Sequence, residues 1–409
     1  MWGLELTIFS KMVENANEST KRGTPLWKAL LLEHRLPFRY KEEVMIAKEK
    51  YNLLYIKHIL NYVLFRFSNL LKSKKKEKQT IFVNIKGKFK CIFILLNYFK
   101  DYNILFYGNF DIKYYIGFGK LPRLIFSIKN LKVINEVPKK TEEMIYIYDE
   151  EGGYLNKEWK KIIKVSVDFS KYDKNNDSHR IVSFVVYPPL YKYKEIYNIK
   201  ELRKNNRNIR LFFSGSIGNE NYREKYMARF GKLSRMQIID HINNELDKDK
   251  LLFIKNKKEL KEAFNKNYLT RIIINDAYKI KIPVKRWLGS ISKSDFLLCA
   301  PGVFMPICFN SIESMAVGTI PLTNYPDWFY PKLEDMKNCV AFNTKEDLIK
   351  KIDLILNMSN ERIIEMRENV IKYYEDNLTA KSFFEKIELN NKSKITFFMP
   401  DENPVSPNK

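Results

Sequence analysis

Cysteine is scarce: four residues in 409, none in CxxC spacing, so the chain offers neither a disulfide framework nor zinc-finger ligands. Cys91, Cys299, Cys308 and Cys339 each sit in an apolar run, as thiols kept reduced in a cytoplasmic setting would. Long apolar runs are missing as well. No stretch reaches the ~18–20 residues of a spanning helix, and the opening MWGLELTIFSKMVENANEST has no basic start leading into an apolar core, so it does not read as a signal peptide. The expectation is a soluble protein, or one peripheral at the inner face of the membrane. RNP-like aromatic motifs, helix-turn-helix patterning and zinc spacing are all absent.

Positive charge, by contrast, is abundant. Lys and Arg number 72 against 48 Asp and Glu, a formal net charge of +24. An excess of this size points to nucleic acid, anionic membrane or acidic glycan. It is spread along the whole chain together with much Asn, Ile and Tyr, as a lysine-favouring composition would produce, and this argues against nucleic acid as partner. The lysine run 72–78, KSKKKEK, reads either as a solvated loop or as a patch drawn to anionic lipid. Hydrophobic residues at 45% and aromatics at 14% are ample for two cored domains.

The sequence is organised around 295–322, DFLLCAPGVFMPICFNSIESMAVGTIPL. A strand-like run, Phe296 to Cys299, breaks at Pro301 and Gly302. A helix follows, with Asn310 and Ser311 near its start and Glu313 about a turn in, and it ends at Gly318 before a new strand. Strand, glycine turn, helix and strand make one crossover unit of a parallel sheet, in which strand ends and helix N-termini face a ligand crevice. The free N–H groups and positive dipole end of such a helix suit a phosphate.

Ser294, Phe296, Leu298, Cys299, Pro301, Gly302, Glu313, Ala316, Gly318, Ile320 and Pro321 occur in the order seen in two-Rossmann (GT-B) glycosyltransferases. The segment resembles the donor-binding part of that fold, in particular its exostosin-like and bacterial polysaccharide members. The resemblance implies an α/β chain of two Rossmann-like domains facing across a cleft. It implies a nucleotide-sugar donor held by the second domain, a glycan or lipid-linked acceptor on the first, and Glu313 on the donor's ribose. Two positions depart from the pattern. Met305 stands where retaining members carry a second glutamate, which favours inversion; Asn310 stands where exostosin-like members carry arginine, so the diphosphate needs another cation.

That cation is sought in two places. The strand IRLFFSGS opens the second half and delivers Ser214, Gly215 and Ser216, where glycine lets backbone N–H groups approach a diphosphate. Arg235, at the start of a helix, is the preferred arginine of the basic segment that follows; Lys285 and Arg286 are the other candidates. For the base that deprotonates the acceptor, carboxylates at strand ends of the first half are the candidates: Asp149, flanked by Glu150 and Glu151, then Asp168, with His179 third. The plain alternative for Asp149 is an acidic turn. No metal and no cofactor are expected, and the DxD-like Asp247 and Asp249 lie in a lysine-rich turn that reads as solvated loop. The expected boundaries are an acceptor domain over 1–195 with added N-terminal helices, a donor domain over 196–375, and a return helix with a poorly ordered tail over 376–409. A catalytically inactive sugar-binding relative and a basic nucleic-acid binder are the competing readings.

Overall fold

The computed structural model describes residues 79–86, 95–96, 99, 102–108, 128, 130–182, 186–187, 190, 193–217, 227–303, 305–388 and 393–399, all within one compact unit. The helices expected over 25–71, the 72–78 lysine run, Gly218 and most of the strand expected at 124–128 lie outside these residues.

Two parallel sheets organise the described chain. Sheet A contains β1 (Thr80–Asn84), β2 (Asn103–Tyr107), β3 (Leu131–Ile134), β4 (Ile145–Asp149), β5 (Lys161–Ser166), β6 (His179–Ile181) and β13 (Lys394–Phe398), in the order β3-β2-β1-β4-β5-β13-β6. Sheet B contains β7 (Ile209–Gly215), β8 (Leu251–Phe253), β9 (Tyr268–Asp276), β10 (Ser294–Leu298), β11 (Ile320–Thr323) and β12 (Val340–Ala341), in the order β12-β11-β10-β7-β9-β8. Every pairing is parallel, and the central strands read as continuous apolar runs because both faces are covered. The architecture is α/β with two Rossmann-like sheets, as expected.

Among the described residues the α-helices of four residues or more are α1 (Ile199–Leu202), α2 (Arg235–Glu245), α3 (Lys257–Ala263), α4 (Trp287–Ile291), α5 (Phe309–Ala316), α6 (Lys345–Leu356), α7 (Asn360–Asn377) and α8 (Ala380–Glu388). Several of them start at a polar capping residue. Ser234 closes a capping box with Gln237, Thr344 accepts from Asp347 N, and Ser359 accepts from Arg362 N. Helix α5 ends at Gly318, whose φ of +73° is the left-handed conformation that closes a helix cheaply only with glycine.

The C-terminal segment corrects an expectation. Residues 394–398 are not a loose tail; they form β13, inserted between β5 and β6. Ile395, Phe397 and Phe398 are fully buried, and each such side chain contributes about 2 kcal/mol by leaving water. Helix α8 thus returns to sheet A, and Phe383 on it meets Phe397 edge-on at 5.5 Å. The third described strand of sheet A in chain order is β3, where LKVI alternates buried and half-buried.

Candidate functional site

Sheet B has its topological switch point between β7 and β10: the chain leaves β7 towards β8 and β9 on one side, and leaves β10 towards β11 and β12 on the other. The loops from the carboxyl ends of these two strands therefore diverge and leave a crevice. One arginine bridges it. Arg235, the first residue of α2, points its guanidinium back so that Nη1 donates to Ser216 O (3.4 Å) and Nη2 donates to Pro301 O (3.0 Å), with Cys308 Sγ 3.8 Å from Nη2. A planar fork suits this double engagement, and it holds a buried positive charge where the two loops part.

The surrounding residues are those whose size permits this approach. A Cβ on Gly215 would sit 2.9 Å from the Phe213 ring and 3.3 Å from Arg235 Nη1; a Cβ on Gly302 would sit 2.9 Å from Met305 O. Ser214 Oγ accepts from Asn275 Nδ2 at 2.8 Å, which ties β7 to β9. Met305 is buried in the sheet B core, so the position of the missing second glutamate is filled by an apolar side chain.

Helix α5 starts beside this loop. Cys308 precedes it, and Ser311 Oγ turns back to donate to Cys308 O at 2.7 Å. Asn310 Oδ1 and Ser216 Oγ are both buried and accept no hydrogen bond from any described residue. Unpartnered buried oxygens are costly unless a ligand or water completes them; one is on the residue whose carbonyl Arg235 engages, and the other is in the first turn of α5, just after Cys308. Ser214, Gly215, Ser216, Arg235, Pro301 and Gly302 are thus brought together, with Asn310 and Ser311 at the adjoining helix start.

Lys285 and Arg286 are not brought there. They lie exposed in a 3₁₀ turn before α4, and Arg286 lines a separate cleft with Asn265 and Lys293, at the amino ends of β9 and β10.

Glu313 is fully enclosed. Its Oε1 accepts from Tyr187 N at 2.7 Å and its Oε2 from Trp287 Nε1 at 2.5 Å. Burial pushes its carboxyl up to about 7, against the lowering effect of these two donors. Tyr187 belongs to the segment leaving sheet A, and its ring lies 6.0 Å from that of Phe309. Glu313 therefore fastens that segment to α5, and a ribose hydroxyl would have to displace Tyr187 N or Trp287 to reach it.

Sheet A presents its candidates differently. Asp149, at the end of β4, is buried; both carboxylate oxygens accept from Lys86 N (3.2 Å each), and Oδ1 also accepts from Gly152 N at 2.6 Å. Asn84 Nδ2 donates to Gly152 O at 2.8 Å in the same turn. Asp149 thus acts as a turn-former, the plainer of its two sequence readings. Glu150 points out to Lys164 and Lys171.

Asp168 is more open. It caps a 3₁₀ turn, accepts from Ser170 N and Ser170 Oγ, and lies 3.4 Å from Lys171 Nζ; the bond from Ser170 leads in holding its carboxyl below the usual range. Its neighbour Phe169 packs 6.3 Å from Trp328, and Trp328 meets Phe230 edge-on at 4.9 Å. Lys232 pairs with Asp327 at 2.7 Å, and Asn324 Nδ2 donates to Leu233 O. A continuous layer thus runs from Asp168 through the 324–328 loop to the residues just before Arg235. His179 is held by Asp173 N on Nδ1 and packs 5.0 Å from Phe398. Asp247 caps a 3₁₀ turn by accepting from Asp249 N, which accounts for that DxD spacing.

No family model and no curated protein matches this chain. Among solved structures, HepE of Anabaena in complex with UDP aligns over 76% of this chain and 98% of its own at 11% identity, with a TM-score of 0.41. The HepE complex with UDP-glucose gives 0.39, also at 11% identity and over 76% and 99% of the two chains. TarM aligns over 62% of this chain and 55% of its own at 13% identity, with a TM-score of 0.31. Likenesses this loose carry no residue roles across. Among the described residues, no helix is long and apolar enough to cross a membrane.

Proposed function

We propose that this chain is a glycosyltransferase that takes a sugar from a nucleotide-sugar donor whose diphosphate sits at the Ser214–Ser216 loop, Arg235, Pro301–Gly302 and the start of α5. The observation that supports it most is the Arg235 fork joining Ser216 and Pro301 at the switch point, with Ser216 Oγ and Asn310 Oδ1 buried and unpartnered among the described residues. A cation buried there stabilises the negative charge that builds on a departing nucleoside diphosphate.

Transfer is proposed to invert the anomeric carbon, because Met305 offers no carboxylate on the donor side, and to need neither metal nor cofactor, because Arg235 and the helix start supply positive charge. The acceptor, a glycan or lipid-linked saccharide, approaches from sheet A. Asp168 is the proposed base in preference to Asp149: it is partly exposed at a strand end that leans on the sheet B loops, whereas Asp149 is spent on its own turn. HepE has been solved with UDP and with UDP-glucose. The likeness is too loose to bring those ligands over, so UDP enters only as the first nucleotide to try.

A thermal-shift screen of nucleoside diphosphates and nucleotide sugars against wild type and Arg235→Ala tests the donor site. One nucleotide should stabilise wild type and not the variant; stabilisation of both to the same degree removes Arg235 from the site. With the donor in hand, turnover in excess EDTA and the product's anomeric configuration by NMR test the mechanism. Loss of activity in EDTA overturns metal independence, a retained configuration overturns inversion, and a fully active Asp168→Asn overturns the base.

A further inference from the structure

A second cleft, of about 630 Å³, opens on the opposite end of sheet B from Arg235. It is lined by Asn265 and Lys293, which lead into β9 and β10, and by α3 and the 281–290 segment. Among its described lining residues are Lys257, Lys261, Lys281, Arg286 and Lys293 against a single carboxylate, Glu195. Of these cations Lys293 is already engaged, donating to Phe264 O at 3.0 Å. Glu195 is half-buried, accepts from Gly289 N at 3.5 Å, and burial raises its carboxyl above the usual range.

Part of the lining is of another character. Leu260, Phe264, Ile282 and Pro283 contribute apolar surface, and Phe264 is fixed edge-on to Phe212 at 5.5 Å. Asn265 adds a neutral hydrogen-bonding group to the lining, and Ser290 Oγ, which donates to Arg286 O at 2.8 Å, adds an acceptor. Scattered surface lysines would provide charge without apolar lining or neutral hydrogen-bonding groups. Here the three occur together in a cavity large enough for a few sugar rings.

We propose that this cleft binds an acidic oligosaccharide. Its anionic groups meet Lys257, Lys261, Lys281 and Arg286, the C–H faces of its rings rest on Phe264 and Pro283, and its hydroxyls reach Asn265, Ser290 and Glu195. This gives Arg286 a role that does not involve the donor diphosphate. The site is independent of the glycosyltransferase reading: it stands or falls on carbohydrate binding, whether or not a nucleotide binds at Arg235.

The experiment is titration calorimetry of the full chain with trigalacturonic acid, with maltotriose as the neutral sugar and citrate as a matched set of three carboxylates without rings. Trigalacturonic acid should bind at least about tenfold more tightly than either, and Lys257→Glu/Lys261→Glu should weaken it by about tenfold. Lys332→Glu/Lys350→Glu, the same charge change on exposed positions away from the cleft, should change affinity by less than about twofold. Lys281→Gln, a milder single change, should cost about threefold. The proposal is overturned if trigalacturonic acid does not bind, if citrate or maltotriose binds as well, if the distant pair weakens binding as much as the cleft pair, or if both cleft variants bind like wild type.

Discussion

The carboxyl ends of the two sheets make an instructive contrast. At sheet A the turn after β4 folds in on itself: Asp149 binds Lys86 N and Gly152 N, and Asn84 Nδ2 binds Gly152 O. At sheet B the loops after β7 and β10 diverge and are bridged by Arg235, and among the described residues Ser216 Oγ and Asn310 Oδ1 stay unpartnered. Both are strand ends of parallel Rossmann-like sheets, where ligands commonly sit. The difference lies in where the polar groups are directed. A turn that satisfies its carboxylate with its own backbone has gained stability, while a crevice that leaves buried oxygens unmet has kept them for something else.

The strongest way to break this contrast is to remove the fork. Arg235→Ala should lower affinity for the donor diphosphate by about 3 kcal/mol, on the order of a hundredfold, since a charge-assisted bidentate contact goes and a buried crevice is left without its cation. Arg235→Lys should recover little, because a point charge cannot reach both Ser216 O and Pro301 O. Calorimetry with the nucleotide found in the screen decides it. Unchanged affinity in Arg235→Ala would make the two sheet ends equivalent.

Next comes Glu313, which belongs to sheet B but is closed like a sheet A group. With its ordinary value at 4.5 and its folded value at about 7, the folded state holds the proton more tightly than the unfolded chain does. Its contribution to stability is therefore complete below pH 4.5 and lost as pH rises to about 7, a span equivalent to about 3 kcal/mol. Subtracting the urea stability of Glu313→Gln from that of wild type, pH by pH, should show that decline. A flat difference would mean that the carboxyl is not desolvated.

Gly152→Ala probes the sheet A turn. A Cβ there would lie 1.9 Å from Asn84 O, a backbone atom that cannot swing aside, so the turn must open at a cost of about 2 kcal/mol. Nucleotide affinity should be untouched. A stability loss under about 0.5 kcal/mol would show that the turn is not the fixed element described.

Much of this was legible in the sequence, for local reasons. The β10–α5–β11 unit is written in one stretch by an apolar run, a Pro-Gly break, a helix and Gly318. The Ser214–Ser216 loop follows from IRLFFSGS, and Arg235 from its place at the start of a helix in a basic segment. What was not legible depends on distant partners. The strand β13 pairs with β5 across more than 200 residues, and nothing in KITFF says where it will insert. The donor to Glu313 Oε1 is Tyr187, 126 residues away, so a helix-borne glutamate after Pro-Gly looked open to a ribose when it is closed by the chain leaving sheet A. Asp149 and Asp168 are alike in sequence, each acidic after a β run. Gly152 and Lys86, the residues that occupy Asp149, separate them only once β1 and β4 are side by side.

The smallest effect sharpens the contrast within sheet A itself. Asp168 is 44% exposed at its side chain, and its ion pair with Lys171, whose side chain is 58% exposed, is largely screened by water. Its carboxyl is held low mainly by Ser170, so what stability it lends is present above its ordinary value near 3.8 and fades as pH falls through the lower folded value. At neutral pH Asp168→Asn should therefore cost less than about 1 kcal/mol, since asparagine still accepts from Ser170 N. Asp149→Asn should cost more, about 1–2 kcal/mol, because an amide has one acceptor oxygen for two backbone donors and a nitrogen that repels the other. Paired urea titrations measure both. If Asp168→Asn proves the more destabilising, Asp168 is the structural carboxylate, and the role of base passes back to a group that the fold can spare.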